Sequence, residues 1–209
     1  LEKLVNGKLT LSKTLIDLLN KHKNRLKQEA ARVLLAEGFG LSEEQMRVLG
    51  RVLTALKNGE RKNFLVRGIS GSGKTLLAVT IVLEALSRGY LSFLSTKNNR
   101  LINIIRKTLG VLSLHVVFYS TGRGKGVGEE KFEEWFRGRF GNKEIDLIVF
   151  DEAQRMTEEV IKNSPRGRVN VYFYDEDQIL IGDEVGTQEN FRRYLTNLEE
   201  YELTSAFRA

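Results

Sequence analysis

The chain has 209 residues, no cysteine and a net charge of +6, from 33 Lys and Arg against 27 Asp and Glu. Without cysteine it can hold no disulfide, run no thiol chemistry and build no Cys-based zinc site. With 41% hydrophobic residues, no run near the ~20 apolar residues of a membrane span and no signal peptide, it reads as a packed cytoplasmic domain.

Residues 11–36 predict an amphipathic helix. Leu15, Leu18, Leu19, His22, Leu26, Ala30 and Val33 fall on one stripe, Ser12 caps it, and Gly38 and Gly40 end it. Its other faces are rich in Lys and Arg. Residues 1–62 hold 13 basic against 7 acidic residues, which accounts for the whole net charge. Residues 1–40 are therefore set apart as a basic helical segment before a domain over 41–209; bracing that domain is the favoured role, beside a nucleic-acid contact through its Lys/Arg face or membership of an upstream domain. His22 and His115 lie in apolar surroundings and read as packed residues, not ligands.

A second helix is expected over 42–57. Ser42-Glu-Glu-Gln45 forms a capping box and Asn58-Gly59 a stop. Strands are then expected at 63–67, 91–96, 114–119, 145–150, 169–175 and 201–205. Helices are expected at 74–88, 98–109, 129–140, 155–163 and 187–198. Alternating β and α implies an α/β domain whose parallel sheet is covered on both faces.

Between the first strand and its helix lies Gly68-Ile-Ser-Gly71-Ser72-Gly73-Lys74-Thr75, a complete G-x-x-x-x-G-K-[ST] loop in the strand–loop–helix setting it needs. Glycines let backbone N–H groups face a phosphate, and the helix N-terminus adds to them. Lys74 is expected on the β- and γ-phosphates of ATP and the Thr75 hydroxyl on Mg²⁺. Farther on, the apolar run Asp146–Phe150 ends in Asp151-Glu152. Ligands of open α/β sheets sit at strand carboxyl ends. Asp151 is thus expected beside the loop as a metal ligand, with Glu152 orienting or deprotonating a water. Taken alone, the paired acids also fit a solvated turn, which an upstream nucleotide loop makes the weaker reading. Gln178, at the mouth of the next strand, offers an amide to a γ-phosphate or catalytic water, and Asp175 offers a hydrogen bond to neighbouring loops. Arg208 ends the last apolar run with a guanidinium suited to phosphoryl charge.

Charge is patterned as well. No acidic residue occurs between Glu84 and Glu129, a stretch holding Arg88, Lys97, Arg100, Arg106, Lys107, Arg123 and Lys125. Such a block is a footprint for polyanions, although scattered Lys and Arg are more often simply solvated. Arg123 and Lys125 lie in the glycine-rich loop Thr121–Gly128, expected to be mobile.

Together these residues resemble the first RecA-like domain of superfamily 1 helicases, and most closely the Schlafen-group DNA/RNA helicase domain family. The likeness covers residues 40–209. It rests on Gly68–Thr75, Phe150-Asp-Glu-Ala-Gln154, Phe173-Tyr-Asp-Glu-Asp-Gln178 and Glu202-Leu-Thr-Ser-Ala-Phe-Arg208, in that order. It implies a P-loop NTPase with a RecA-like three-layer sandwich, a parallel central sheet and an N-terminal helical appendage. It implies that Gln45 contacts adenine, that Thr96, Lys97 and Asn98 grip single-stranded DNA or RNA, and that Gln154 couples the metal site to the strand-binding face. Gln178 and Arg208 are implied at the γ-phosphate or its water. Tyr174 departs from the pattern, since many such helicases have glycine there. The chain also stops at Ala209, before a second RecA-like domain. The expectation is therefore an ATP-hydrolysing helicase or translocase motor domain, weakly active alone, whose second half comes from elsewhere. The alternatives are a regulatory P-loop ATPase that docks a protein or nucleic acid without translocating, a binding module with a vestigial site, and a small-molecule kinase.

Overall fold

The computed structural model describes residues 41–97, 116–117, 126–129, 131–179 and 182–204. The helices expected over 11–36 and 98–109, together with His22, Asn98, His115, Arg123, Lys125 and Arg208, lie outside the described residues.

Helix α1 (Glu43–Lys57) starts at the expected capping box. Ser42 Oγ accepts from Gln45 N–H, while Gln45 Oε1 accepts from Ser42 N–H. Strand β1 (Lys62–Gly68) leads through the glycine loop into α2 (Lys74–Ser87), and β2 (Ser92–Ser95) follows. After β3 (Val116–Val117) come α3 (Phe132–Phe140), β4 (Leu147–Phe150), α4 (Glu158–Asn163), β5 (Val169–Tyr174), α5 (Gln188–Tyr194) and β6 (Leu198–Leu203). The strands form one sheet in the order β3-β2-β4-β5-β1-β6, and every pairing is parallel.

Alternation along the strands sorts the core into two layers. Phe64 and Val66 of β1, Leu147 and Val149 of β4, and Val169, Val171 and Phe173 of β5 face α1 and α2. Leu65, Ile148, Phe150, Tyr172 and Tyr174 face α3, α4 and α5. Burial on both faces makes these strands read as continuous apolar runs. Each fully buried Leu, Val, Ile or Phe side chain adds about 1.5–3 kcal/mol over leaving it in water. Tyr174, the departure from the family pattern, is buried edge-on against Phe191 of α5 and fills the second layer.

A polar pin fixes the register near the strand starts. The Asn170 amide donates to Asn63 Oδ1 (3.0 Å) and Gly167 O (2.9 Å), and Asn63 Nδ2 donates to Thr196 O (2.7 Å). Buried amides satisfied in this way add direction that apolar packing lacks. In a parallel sheet every strand then delivers its carboxyl end to the same edge. That edge carries Gly68, Thr96, Asp151, Asp175 and Thr204.

Some boundaries differ from expectation. The helix expected over 155–163 is a 3₁₀ turn (Ala153–Arg155) and a separate α4. Met156 is extended between them, and Thr157 caps α4 by accepting from Val160 N–H. Strand β6 begins at Leu198, not at 201, because β1 pairs with it from Asn63 onward. The glycine-rich segment expected to be mobile is described only at its end. There Val127 is buried, and its carbonyl accepts from Arg166 Nε (2.6 Å).

Candidate nucleotide site at the sheet edge

The glycine loop is shaped by backbone that side chains resist. Gly71 and Gly73 have φ of 83° and 78°, in the left-handed region that favours glycine. A Cβ on Gly68 would lie 2.5 Å from Ser72 Oγ. Gly73 caps α2 without a side-chain bond, and the first turn of α2 holds no acid. Its leading N–H groups thus suit an anion.

Thr75 Oγ1 donates to Asp151 Oδ2 at 2.8 Å. Asp151 in turn continues the β4–β2 pairing, since its N–H donates to Ser95 O (2.9 Å). Lys74 Nζ donates to Gly68 O (2.5 Å) and Ile69 O (2.9 Å) and lies 3.4 Å from Asp175 Oδ2. That same oxygen accepts from Gln178 Nε2 (2.5 Å). Gln154, buried, accepts from Asp175 N–H through Oε1 (3.3 Å) and so joins the ends of β4 and β5. The residues expected at the phosphates and metal are therefore brought together. Thr75 meets Asp151, and Lys74, Asp175 and Gln178 form the adjoining wall.

Burial, with Glu152 next to it, pushes the Asp151 carboxyl up to about 6, and the Thr75 hydrogen bond and Lys74 charge only partly offset this. Glu152 has a left-handed backbone (φ 57°, ψ 39°), and its Oε2 lies 3.6 Å from Arg155 Nε. A non-glycine residue in that region is uncommon and marks a constrained turn. Among the described residues no three His, Cys, Asp or Glu side chains gather. A cation here would take one carboxylate and one hydroxyl from the protein and the rest of its ligands from phosphate or water. That donor set of hard oxygens fits Mg²⁺.

Gln45 also reaches the loop. Its Nε2 donates to Ser72 O (2.9 Å) while its Oε1 serves the α1 cap, so in this structure the amide implied to contact adenine braces the glycine loop. On the basic side, Thr96 is buried with its N–H on Val117 O (3.3 Å), and Lys97 lies at the end of β2. Two partnerships escape sequence reading. Glu44 accepts from both N–H (2.9 Å) and Oγ1 (2.5 Å) of Thr204, and Glu184 pairs with Lys97. Asp175, expected to bond a neighbouring loop, does so through Lys74.

Residues 61–209 match the family model described as Schlafen group 3, DNA/RNA helicase domain. Among solved structures, the chain is similar to the Pif1 helicase from Candida albicans, at 17% identity and a TM-score of 0.50, over 80% of this chain and 40% of that one. AMPPCP-bound DnaA from Aquifex aeolicus aligns at 19% identity and a TM-score of 0.46, over 82% of this chain and 51% of that one. The chain thus spans about half the length of these structures or less. No curated protein sequence matches it. No described helix is long and apolar enough to cross a membrane.

Proposed function

The chain belongs to the Schlafen group 3 DNA/RNA helicase domain family, and on that premise we propose that it is the ATP-hydrolysing first motor domain of a superfamily 1-like helicase or translocase. The carrying observation is the 2.8 Å bond from Thr75 to Asp151 beside the Lys74–Asp175 pair, at the mouth of a glycine loop. Magnesium, when bound, would supply positive charge that offsets the charge on the phosphoryl oxygens. Thr75 and Asp151 would hold it. Lys74 exchanges its carbonyl partners for phosphate oxygens, and Asp175 keeps its stem aimed. Glu152 takes the proton of the attacking water, Gln178 holds that water or the γ-phosphate, and Arg208 neutralises phosphoryl charge. Gln45 fixes the loop, and reaches adenine only by giving up its bond to Ser72 O. Single-stranded DNA or RNA lies across Lys97, Asn98, Arg123 and Lys125, with the buried Thr96 anchoring the end of β2 before Lys97. Residues 1–40 brace the domain, and a second RecA-like domain completes the motor in the cytoplasm.

The test is ATP hydrolysis by the intact protein at low salt, with and without single-stranded DNA or RNA. Stimulation by at least one is expected, and Glu152→Gln should bind ATP but lose about 10²–10⁴-fold in turnover. Hydrolysis indifferent to both nucleic acids favours the regulatory ATPase, and an unimpaired Glu152→Gln removes Glu152 from the chemistry.

A further inference from the structure

Lys97 stands in the acid-free stretch, yet it faces a carboxylate. Its Nζ is 3.5 Å from Glu184 Oε1, and the Glu184 side chain is only 2% exposed, against 40% for Lys97. Taking a carboxylate out of water costs free energy that its partners must offset. Glu184 reaches Lys97 from the segment before α5, and that segment is fastened to the turn that follows Asp151. Val185 N–H donates to Met156 O (2.9 Å) and Gly186 N–H to Gln154 O (3.2 Å). Gly186 packs so closely that a Cβ there would lie 2.2 Å from Ala153 O. Asn190 Nδ2 holds Val185 O (2.9 Å), and Gln188 N–H donates to Glu176 Oε1 (2.6 Å). One tightly tied segment therefore touches Lys97 through a side chain and the Glu152–Met156 turn through its backbone.

We propose that Glu184 is a positioning residue that couples Lys97 to the turn carrying Glu152 and Gln154. The inference rests on the motor reading above. A nucleic-acid phosphate arriving at Lys97 competes with Glu184 for the ammonium. The buried carboxylate then loses the Lys97 ammonium, and the segment that carries it shifts against the turn. Nucleotide that moves the turn acts on Lys97 through the same segment in reverse, as the reciprocity of binding linkage requires. Replacing Glu184 by Gln keeps the shape and removes the charge that makes the exchange matter.

The experiment measures the affinity of the intact protein for a labelled single-stranded oligonucleotide, one DNA and one RNA, by fluorescence anisotropy. Each is titrated with and without a non-hydrolysable ATP analogue plus Mg²⁺. In the wild type the analogue should change oligonucleotide affinity by about fivefold or more. Glu184→Gln should bind the oligonucleotide without nucleotide at least as tightly as wild type, because the competing carboxylate is gone. Its response to the analogue should fall below about twofold, while its affinity for the analogue alone stays within about threefold. Should Glu184→Gln fail to fold, Lys97→Met carries the same test, since the response must also collapse without the ammonium. A response that survives these substitutions, or a wild type that binds the oligonucleotide and ignores the analogue, overturns the coupling alone. A Glu184→Gln protein that loses analogue affinity yet keeps the response is structurally damaged, and this too overturns it. A wild type that binds neither oligonucleotide overturns the motor reading and the coupling with it.

Discussion

Asp151 sits where a negative charge is disfavoured, and its position is useful for that reason. Its carboxyl titrates at about 6 in the folded chain, against 3.8 for an unperturbed aspartate. Between those values the folded state holds the proton more firmly than the unfolded chain, so stability falls as pH rises through this window. Above about pH 6 the ionised group costs on the order of 3 kcal/mol. Without nucleotide, Asp151→Asn should therefore be more stable than wild type by about 1–3 kcal/mol at pH 8, with little gain near pH 4. Urea unfolding at the two pH values checks this, and an equal gain at both would mean that charge is not the cause. A cation held between Thr75 and Asp151 would offset the same cost. Glu152, with its left-handed backbone, is a second residue held in place at some cost to stability.

At the scale of elements, the segment before α5 and the turn after β4 behave as one piece. Gly186 is the closest approach between them, and an added methyl would meet Ala153 O at 2.2 Å. Gly186→Ala should cost about 1–3 kcal/mol by forcing the backbones apart, read as a drop of roughly 2–4 °C in Tm for each kcal/mol. An unchanged Tm would show that the contact yields freely. Elements of this kind were only partly legible in the sequence. The helix caps, the glycine loop and the apolar strands each depend on residues a few positions apart, so spacing revealed them. The β4 acids could be placed because a parallel sheet collects strand ends at one edge. Pairings between distant residues left no such trace. Asp175 and Lys74 lie 101 positions apart, and Thr204 and Glu44 lie 160 apart. The break at Met156 was missed because the helical period runs on through a residue that the turn holds extended. Tyr174 was legible only as a departure from the resembled pattern, and the second core layer shows what its ring fills.

For the whole molecule, the two core layers fix one sheet edge, and charge gives that edge two sides. The acids near the nucleotide loop gather at the ends of β4 and β5, while Lys97 opens the basic stretch at the end of β2. If three phosphates are neutralised on that side, affinity for a single strand should fall roughly twentyfold between 50 and 200 mM salt, at a slope near −0.7 per contact. A salt-independent affinity would exclude phosphate contacts as its source. The most direct measurement of the nucleotide site is the titration of a fluorescent ATP analogue with and without Mg²⁺, in wild type, Thr75→Ala and Asp151→Asn. The expected result is tighter binding with Mg²⁺ in the wild type, an increment that both variants lose while their Mg²⁺-free binding persists. Variants that keep the full Mg²⁺ increment would contradict a cation held between Thr75 and Asp151.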